Sequence, residues 1–328
     1  MSLEDPGLRM TTRPATPEED RKDFLVEVAC LRHEYHLNQE AIARRFGVSR
    51  STISRALSEA ERLGLVQVMV TEPMPREARL AEAIRDRYGV TTYVGMRLTG
   101  EPSQAAAARV MARVLERIAV GGNLTIAASW GRTLAQAAHL VRPRHSSGIA
   151  VVDAIGHAVG DQMAPAIEVT RTLATAFAAT AVHLPSPAFA DSEASLEFLL
   201  ASPPVARVLQ AARDAEVSLV SVGVVGDDSL LTQAGVVSPQ VMRALVQRGA
   251  VGEILGRYYD RAGTVIEAPP LLPVGLSLDD LRASRRVIAA AGGARKADAV
   301  RAALAGGIVD ELVVDDALAE ALVRPPEG

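Results

Sequence analysis

Two sets of residues in this chain have the types and spacing to do chemistry. The first is compact. Gln39, Arg44, Arg45, Ser49, Arg50, Ser51, Thr52, Ser54 and Arg55 all lie in QEAIARRFGVSRSTISRA, and from Arg44 to Arg55 there are four arginines and no acid. Arginine bonds guanine or phosphate through a two-pronged donor, and serine or threonine reaches base edges or phosphate oxygens. The second set is scattered through four glycine-containing segments and a Gly-His pair. They are SWGRT (Ser129, Trp130, Gly131, Arg132, Thr133), VGVVGDDS (Gly223, Val224), GAVGEILGRYYDRAG (Glu253, Asp260), GGARK (Lys296), and Gly156 with His157. Glycine lets a backbone approach an anion, and the first turn of a helix adds free N–H groups and partial positive charge. Arg132 and Lys296 add full charge. Only two of the 35 basic residues are lysines, Lys22 and Lys296, so the ammonium in GGARK stands out. A carboxylate such as Glu253 accepts from sugar hydroxyls. Asp260 could do the same, although Asp-Arg-Ala-Gly also reads as a hairpin turn closed by Gly263. His157 reads equally as a ligand contact or a structural histidine, and Trp130 is expected to pack beneath its loop.

The elements that must hold these residues follow from apolar spacing. Phe24, Val28, Leu31 and Tyr35 predict one face of a first helix. Asn38 is a candidate cap for a short helix over Gln39–Arg45, Gly47 permits the left-handed turn, and Ser49 caps a second helix whose inward stripe is Ile53, Leu57 and Ala60. Ala43 is small where the two helices approach, and Ala56 is smaller than the site ordinarily asks, with Leu57 beside it. This is the layout of a helix-turn-helix, in which Arg50–Arg55 would enter the major groove while Arg44, Arg45 and Gln39 meet phosphates. Leu65–Thr71 reads as a short strand.

From about Arg76 strands and helices alternate. Apolar runs at Thr91–Met96, Leu124–Ala128, Ile149–Ile155, Ala181–Leu184, Val217–Val225, Val287–Ala291 and Glu311–Val314 read as strands, with helical patterns between them. Near-continuous apolar strands predict a mostly parallel, Rossmann-like α/β sheet covered on both faces. The glycine loops then fall at carboxyl ends of strands, where open α/β sheets hold ligands. The domain boundaries expected are a disordered leader over 1–20, a DNA-binding domain over 21–72 and an effector-binding and oligomerisation domain over 73–328.

Composition sets limits. A net charge of −4 gives no general affinity for nucleic acid, but residues 21–64 carry eight bases and six acids, and what counts is the local field. The single cysteine, Cys30, excludes an intramolecular disulfide framework and a multi-cysteine zinc site. No long uncharged apolar run and no apolar leader are present, so a cytoplasmic protein with no membrane partner is expected. No catalytic triad, metal-ligand spacing, Walker lysine or GxGxxG occurs, so no catalytic residue, metal or cofactor is expected.

In their order along the chain, NQEAIARRFGVSRSTISRAL, LTIAASWGRTL, VSLVSVGVVG, GAVGEILGRYYDRAG and AAGGARKADAVRAAL with GGIVDELVVDD resemble the SorC family of bacterial transcription regulators. The resemblance covers nearly the whole chain after residue 21. It implies a winged helix-turn-helix joined to a sugar-binding domain related to sugar-phosphate isomerases, glucosamine-phosphate deaminases and CoA transferases. It also implies operator DNA, a phosphorylated sugar or polyol as effector, and a dimer or tetramer. On that resemblance Ser129–Thr133 and Lys296 hold the phosphate and Glu253 meets sugar hydroxyls. Many relatives have Asp at the position of Glu253, and glycine at that of His157. A sugar-phosphate isomerase or deaminase, with the N-terminal segment serving oligomerisation, is the alternative reading.

Overall fold

The computed structural model describes residues 17–66, 75–143, 148–157, 166–269 and 271–325. The chain forms two compact units, Met1–Glu72 and Pro73–Gly328.

In the first unit three helices, α1 (Pro17–His33), α2 (Gln39–Phe46) and α3 (Arg50–Arg62), enclose one core. Local chemistry sets their ends. The Asn38 side chain accepts the Ala41 N–H at 2.8 Å, Gly47 turns left-handed at φ 65°, and Ser49 Oγ accepts the Thr52 N–H at 3.1 Å. Leu25, Val28, Ala29 and Leu31 of α1 pack on Ile42 and Ala43 of α2 and on Ile53, Ala56, Leu57 and Ala60 of α3. Ala56 is thus part of the buried stripe, and Leu57 is buried beside it.

Three expectations are corrected here. Helix α1 starts at Pro17, inside the segment read as a leader; proline suits a first helical position because its missing N–H costs no helical bond there. Tyr35 does not continue the inner face of α1. The helix stops at His33, His36 takes φ 56°, and Tyr35 is 68% exposed. The short second helix runs one residue further than expected, to Phe46, whose ring meets Phe24 edge-on at 5.2 Å. The strand expected over Leu65–Thr71 lies, beyond Val66, outside the described residues.

The second unit is built on seven parallel strands. In spatial order they are Thr91–Gly95, Glu311–Asp315, Val287–Ala291, Val217–Ser221, Leu124–Ala128, Ile149–Asp153 and Thr180–Val182. Side chains alternate between two cores. Ile126, Leu219, Ile288 and Val313 face helices Ser103–Ile118, Arg132–Leu140 and Ala166–Phe177. Ala127, Val220, Ala289 and Leu312 face Pro75–Tyr88, Pro239–Gln247, Ala297–Ala305 and Asp316–Val323. A strand buried on both faces has no polar side, which is why these strands read as near-continuous apolar runs.

The first strand, Thr91–Gly95, lies at the edge beside Glu311–Asp315, and the next in sequence starts in the interior of the sheet. From Leu124–Ala128 the chain builds outward through Ile149–Asp153 to Thr180–Val182. It then returns to the other flank of Leu124–Ala128 and builds away through Val217–Ser221, Val287–Ala291 and Glu311–Asp315. The reversal lies between Leu124–Ala128 and Val217–Ser221.

The run Val217–Val225 is not one strand. It breaks at Val222, and Gly223–Val224 joins a small antiparallel sheet with Gly252–Ile254, Arg257–Tyr259 and Val265–Ile266. The hairpin between the second and third of these turns at Leu255 and Gly256, with φ 55° and 73°. Two successive residues at positive φ match the twist of a tight hairpin.

Replacing Asn38 with alanine removes the cap of α2 and is expected to cost the first unit about 1 kcal/mol. Chemical denaturation followed by a probe in residues 17–66 checks this; an unchanged midpoint would contradict the capping role.

Candidate functional site

The loops after Leu124–Ala128, Val217–Ser221 and Val287–Ala291 converge on one pocket. Trp130, Gly131, Arg132, Thr133, Gly223, Val224, Glu253 and Lys296 line it together, with Ser221, Tyr258 and Arg295 among their neighbours.

Each loop is shaped by a glycine. Gly131 has φ 138°, and a Cβ there would lie 2.2 Å from Ser221 Oγ, so only glycine lets this loop cross the adjacent strand. Helix Arg132–Leu140 follows at once with no side chain capping its first turn, which leaves its N–H groups for a ligand. Ser129 stands behind the lining. It is buried, its N–H bonds Leu219 O at 2.9 Å and its hydroxyl bonds Trp130 O at 3.0 Å. Trp130 packs against Phe189, ring centroids 6.0 Å apart, with part of its surface in the pocket wall.

Gly292 passes against the start of helix Ser103–Ile118, where a Cβ would lie 2.7 Å from Gln104 Cα. The Gly293 N–H donates to Asp315 Oδ1 at 2.8 Å, tying the lysine loop to the neighbouring strand. Lys296 Nζ donates to Val222 O at 2.6 Å, the residue at which the chain changes sheets. Burial, and then the nearby charges of Arg132 and Arg295, lower the pKa of Lys296 to about 8. Arg295 is paired with Asp228.

Glu253 is buried and sits opposite Gly223 in register. The missing side chain of Gly223 makes its room, because a Cβ there would lie 2.4 Å from Glu253 Oε2. Its Oε1 accepts the Gly256 N–H. Burial raises its pKa to about 7, against the lowering effects of that bond and of Lys296.

Tyr258 and Ser221 are among the lining residues that sequence reasoning missed. Tyr258 faces Glu253 across the hairpin, and burial followed by the charge of Glu253 raises its pKa. Ser221 is the last residue of the strand Val217–Ser221. A hairpin centred on Leu255–Gly256 would have placed Tyr258.

Gly156, His157 and Asp260 are not among the pocket's lining residues. Gly156 is pressed against the Pro187 carbonyl and its N–H bonds Val274 O at 2.9 Å. His157 stands 3.7 Å from the carboxylate of Asp153, which also accepts from His183 Nδ1 at 3.1 Å and from the Leu184 N–H at 3.0 Å. Asp260 Oδ1 accepts the N–H groups of Ala262 and Thr264, each at 2.9 Å, and so closes its turn.

On the first unit Arg44, Arg45, Ser49, Arg50, Ser51, Ser54 and Arg55 are exposed, while Gln39 and Thr52 are half-buried. Ser49 Oγ is shared between its cap and the hydroxyls of Ser51 and Thr52, at 2.7 and 2.8 Å. Arg44 lies 3.8 Å from Glu40, one turn back. The exposed face of α3 is therefore arginine at its first turns over a hydroxyl cluster.

The chain is similar to known proteins over most of its length. The deoxyribonucleoside regulator of Bacillus subtilis is 28% identical over 313 residues, 94% of this chain and 99% of that protein. The erythritol catabolism regulatory protein EryD of Brucella abortus is 28% identical over 301 residues, 89% and 93% of the two chains. The full-length sorbitol operon regulator SorC of Klebsiella pneumoniae has the same fold, with a TM-score of 0.69 at 22% identity over 93% of this chain and all of that one. The profile of the family described as "Putative sugar-binding domain" matches residues 72–324. The chain belongs to this family of SorC-type transcriptional regulators. The relatives named above are regulators, and among the described residues no helix is long and apolar enough to cross a membrane.

In this SorC-type regulator the buried Glu253 links stability to pH. Unfolded, the carboxyl titrates near 4.5; folded, near 7. The folded form therefore holds the extra proton inside that window, and stability falls as pH rises through it. Lys296 shifts from 10.5 to about 8, so its contribution is constant below that range and changes with pH only above about pH 8. Between about pH 5 and 7.5 the wild type is expected to lose about 2 to 3 kcal/mol more than Glu253→Gln. Denaturation midpoints across that range check it; parallel profiles would place Glu253 in water.

Proposed function

We propose that the chain binds operator DNA through α3 and that a phosphorylated sugar or polyol in the second unit's pocket controls this binding. The observation that carries the reading is the convergence of three strand-end loops. They bring an uncapped helix start, Arg132 and Lys296 for an anion, and Glu253 for hydroxyls, into one pocket. Residues 21–72 act as the DNA-binding domain and 73–328 as the effector-binding and oligomerisation domain. On α3, Arg50, Ser51, Thr52, Ser54 and Arg55 meet bases and phosphates, while Gln39, Arg44, Arg45 and Ser49 hold the backbone. A dimer or tetramer presents two such helices to symmetric half-sites. The effector acts by binding one form of the assembly more tightly than the other. The protein works in the cytoplasm without a membrane partner, and it is not an enzyme.

Glu253 and Lys296, titrating near 7 and near 8 in one pocket, also fit an acid and base for sugar-phosphate isomerisation. Sustained turnover of a sugar phosphate by the purified protein would displace the regulator reading.

Selection of operators from random DNA, with and without a panel of sugar phosphates, tests the proposal. Arg50→Ala and Arg55→Ala are each expected to weaken operator binding about tenfold or more and to leave thermal stabilisation by the sugar phosphate intact. Lys296→Met is expected to abolish that stabilisation and keep DNA affinity in the absence of sugar. A normal sugar response in Lys296→Met removes Lys296 from the site.

A further inference from the structure

Two residues that line the pocket carry buried hydroxyls with no hydrogen-bond partner among the described residues. Tyr258 is 1% exposed, and its phenol has no hydrogen-bond partner among the described residues. Ser221 Oγ is buried and equally unpartnered, under the Gly131 crossing. Buried polar groups nearly always have partners, because leaving one without is costly. Both residues line the pocket that holds Glu253 and Lys296, and Tyr258 is the direct cross-strand neighbour of Glu253. Residues opposite each other on paired strands project from the same face of the sheet. Glu253, Tyr258 and Ser221 therefore give the wall a carboxyl and two hydroxyls, a set that a ligand with several hydroxyls of its own pairs more fully than a bare anion does.

We propose that Tyr258 and Ser221 are specificity-determining contacts, which select a polyhydroxylated phosphate ester over inorganic phosphate or a poorly hydroxylated ester. The proposal rests on the reading of this pocket as a phosphosugar site. Cationic groups alone would accept any small phosphate. Hydroxyls left unpaired by a ligand that lacks matching groups penalise that ligand, and such penalties separate ligands more sharply than apolar contacts do.

The test compares wild type, Tyr258→Phe and Ser221→Ala. Melting curves are recorded without ligand, with inorganic phosphate, and with a panel of aldose phosphates and polyol phosphates. Without ligand Tyr258→Phe is expected to melt at the same temperature or higher, since the group removed makes no bond in the fold. For whichever ester stabilises the wild type best, the apparent Kd is expected to rise about tenfold in each variant, while that for inorganic phosphate changes less than about twofold. Wild-type affinity for that ester in both variants would overturn the proposal and leave the site's phosphosugar reading standing. Equal loss of ester and inorganic phosphate would overturn it too, because the substitutions would then have damaged the pocket as a whole. If no ester stabilises the wild type, the phosphosugar reading itself fails. The ligand-free melts still decide then: a lower melting temperature for Tyr258→Phe shows that the phenol has a partner in the protein and overturns the proposal.

Discussion

Strand order reverses between Leu124–Ala128 and Val217–Ser221, and no crossover can cover the carboxyl ends at that point. Chains leaving two neighbouring strands must part to opposite sides, so a crevice opens between them. Into it run Ser129–Thr133 from one strand and Val222–Val224 from the other, and Gly292–Lys296 arrives from the next strand along. None of these loops is remarkable in length or composition. Their common floor gives them a joint role, and the sheet's topology sets that floor. Gly156 and His157 show the converse. They also follow a parallel strand, but one step away from the reversal, and there the chain packs onto Ser186, Pro187 and Val274.

A crevice lined this way is electrostatically strained before any ligand enters. Lys296 is held among Arg132 and Arg295, and its ammonium donates to a carbonyl, that of Val222. Glu253 is held out of water with one backbone donor, from Gly256. Leu255, beside it, sits at φ 55°, a conformation that costs a non-glycine residue about 1 kcal/mol or more. Buried like charges, a carboxyl shifted toward neutrality and a left-handed leucine are each unfavourable, and they cluster where the loops meet. The extensive aliphatic cores on both faces of the sheet carry the stability that tolerates them.

Much of this was legible in the chain because it is local. A cap, a left-handed glycine and an inward stripe act within a few residues, so Asn38, Gly47, Ser49 and Ile53 locate α2 and α3 without tertiary information. Strands buried on both faces announce themselves as apolar runs. The convergence of Ser129–Thr133, Glu253 and Lys296 was expected from a family resemblance and could not be derived from the residues, since it depends on which strands are neighbours. What escaped had no periodicity to read. The strands Gly252–Ile254 and Arg257–Tyr259 have three residues each, too short for an alternation that would single out Tyr258. Val217–Val225 looked like one strand because its hydrophobicity continues through Val222 into a second sheet. Tyr35 kept the helical spacing, but the chain had already left the helix.

The near absence of lysine gives the pocket a practical property. Acylating and reductively alkylating reagents attack uncharged amines, and side-chain targets of that kind number two here. Lys22 lies exposed on the first unit; Lys296 loses its proton near pH 8 inside the second. In mildly alkaline buffer a dye or affinity tag could therefore be directed to the crevice by ordinary amine chemistry, and a bound molecule covering Lys296 would register as protection at one residue in a peptide map.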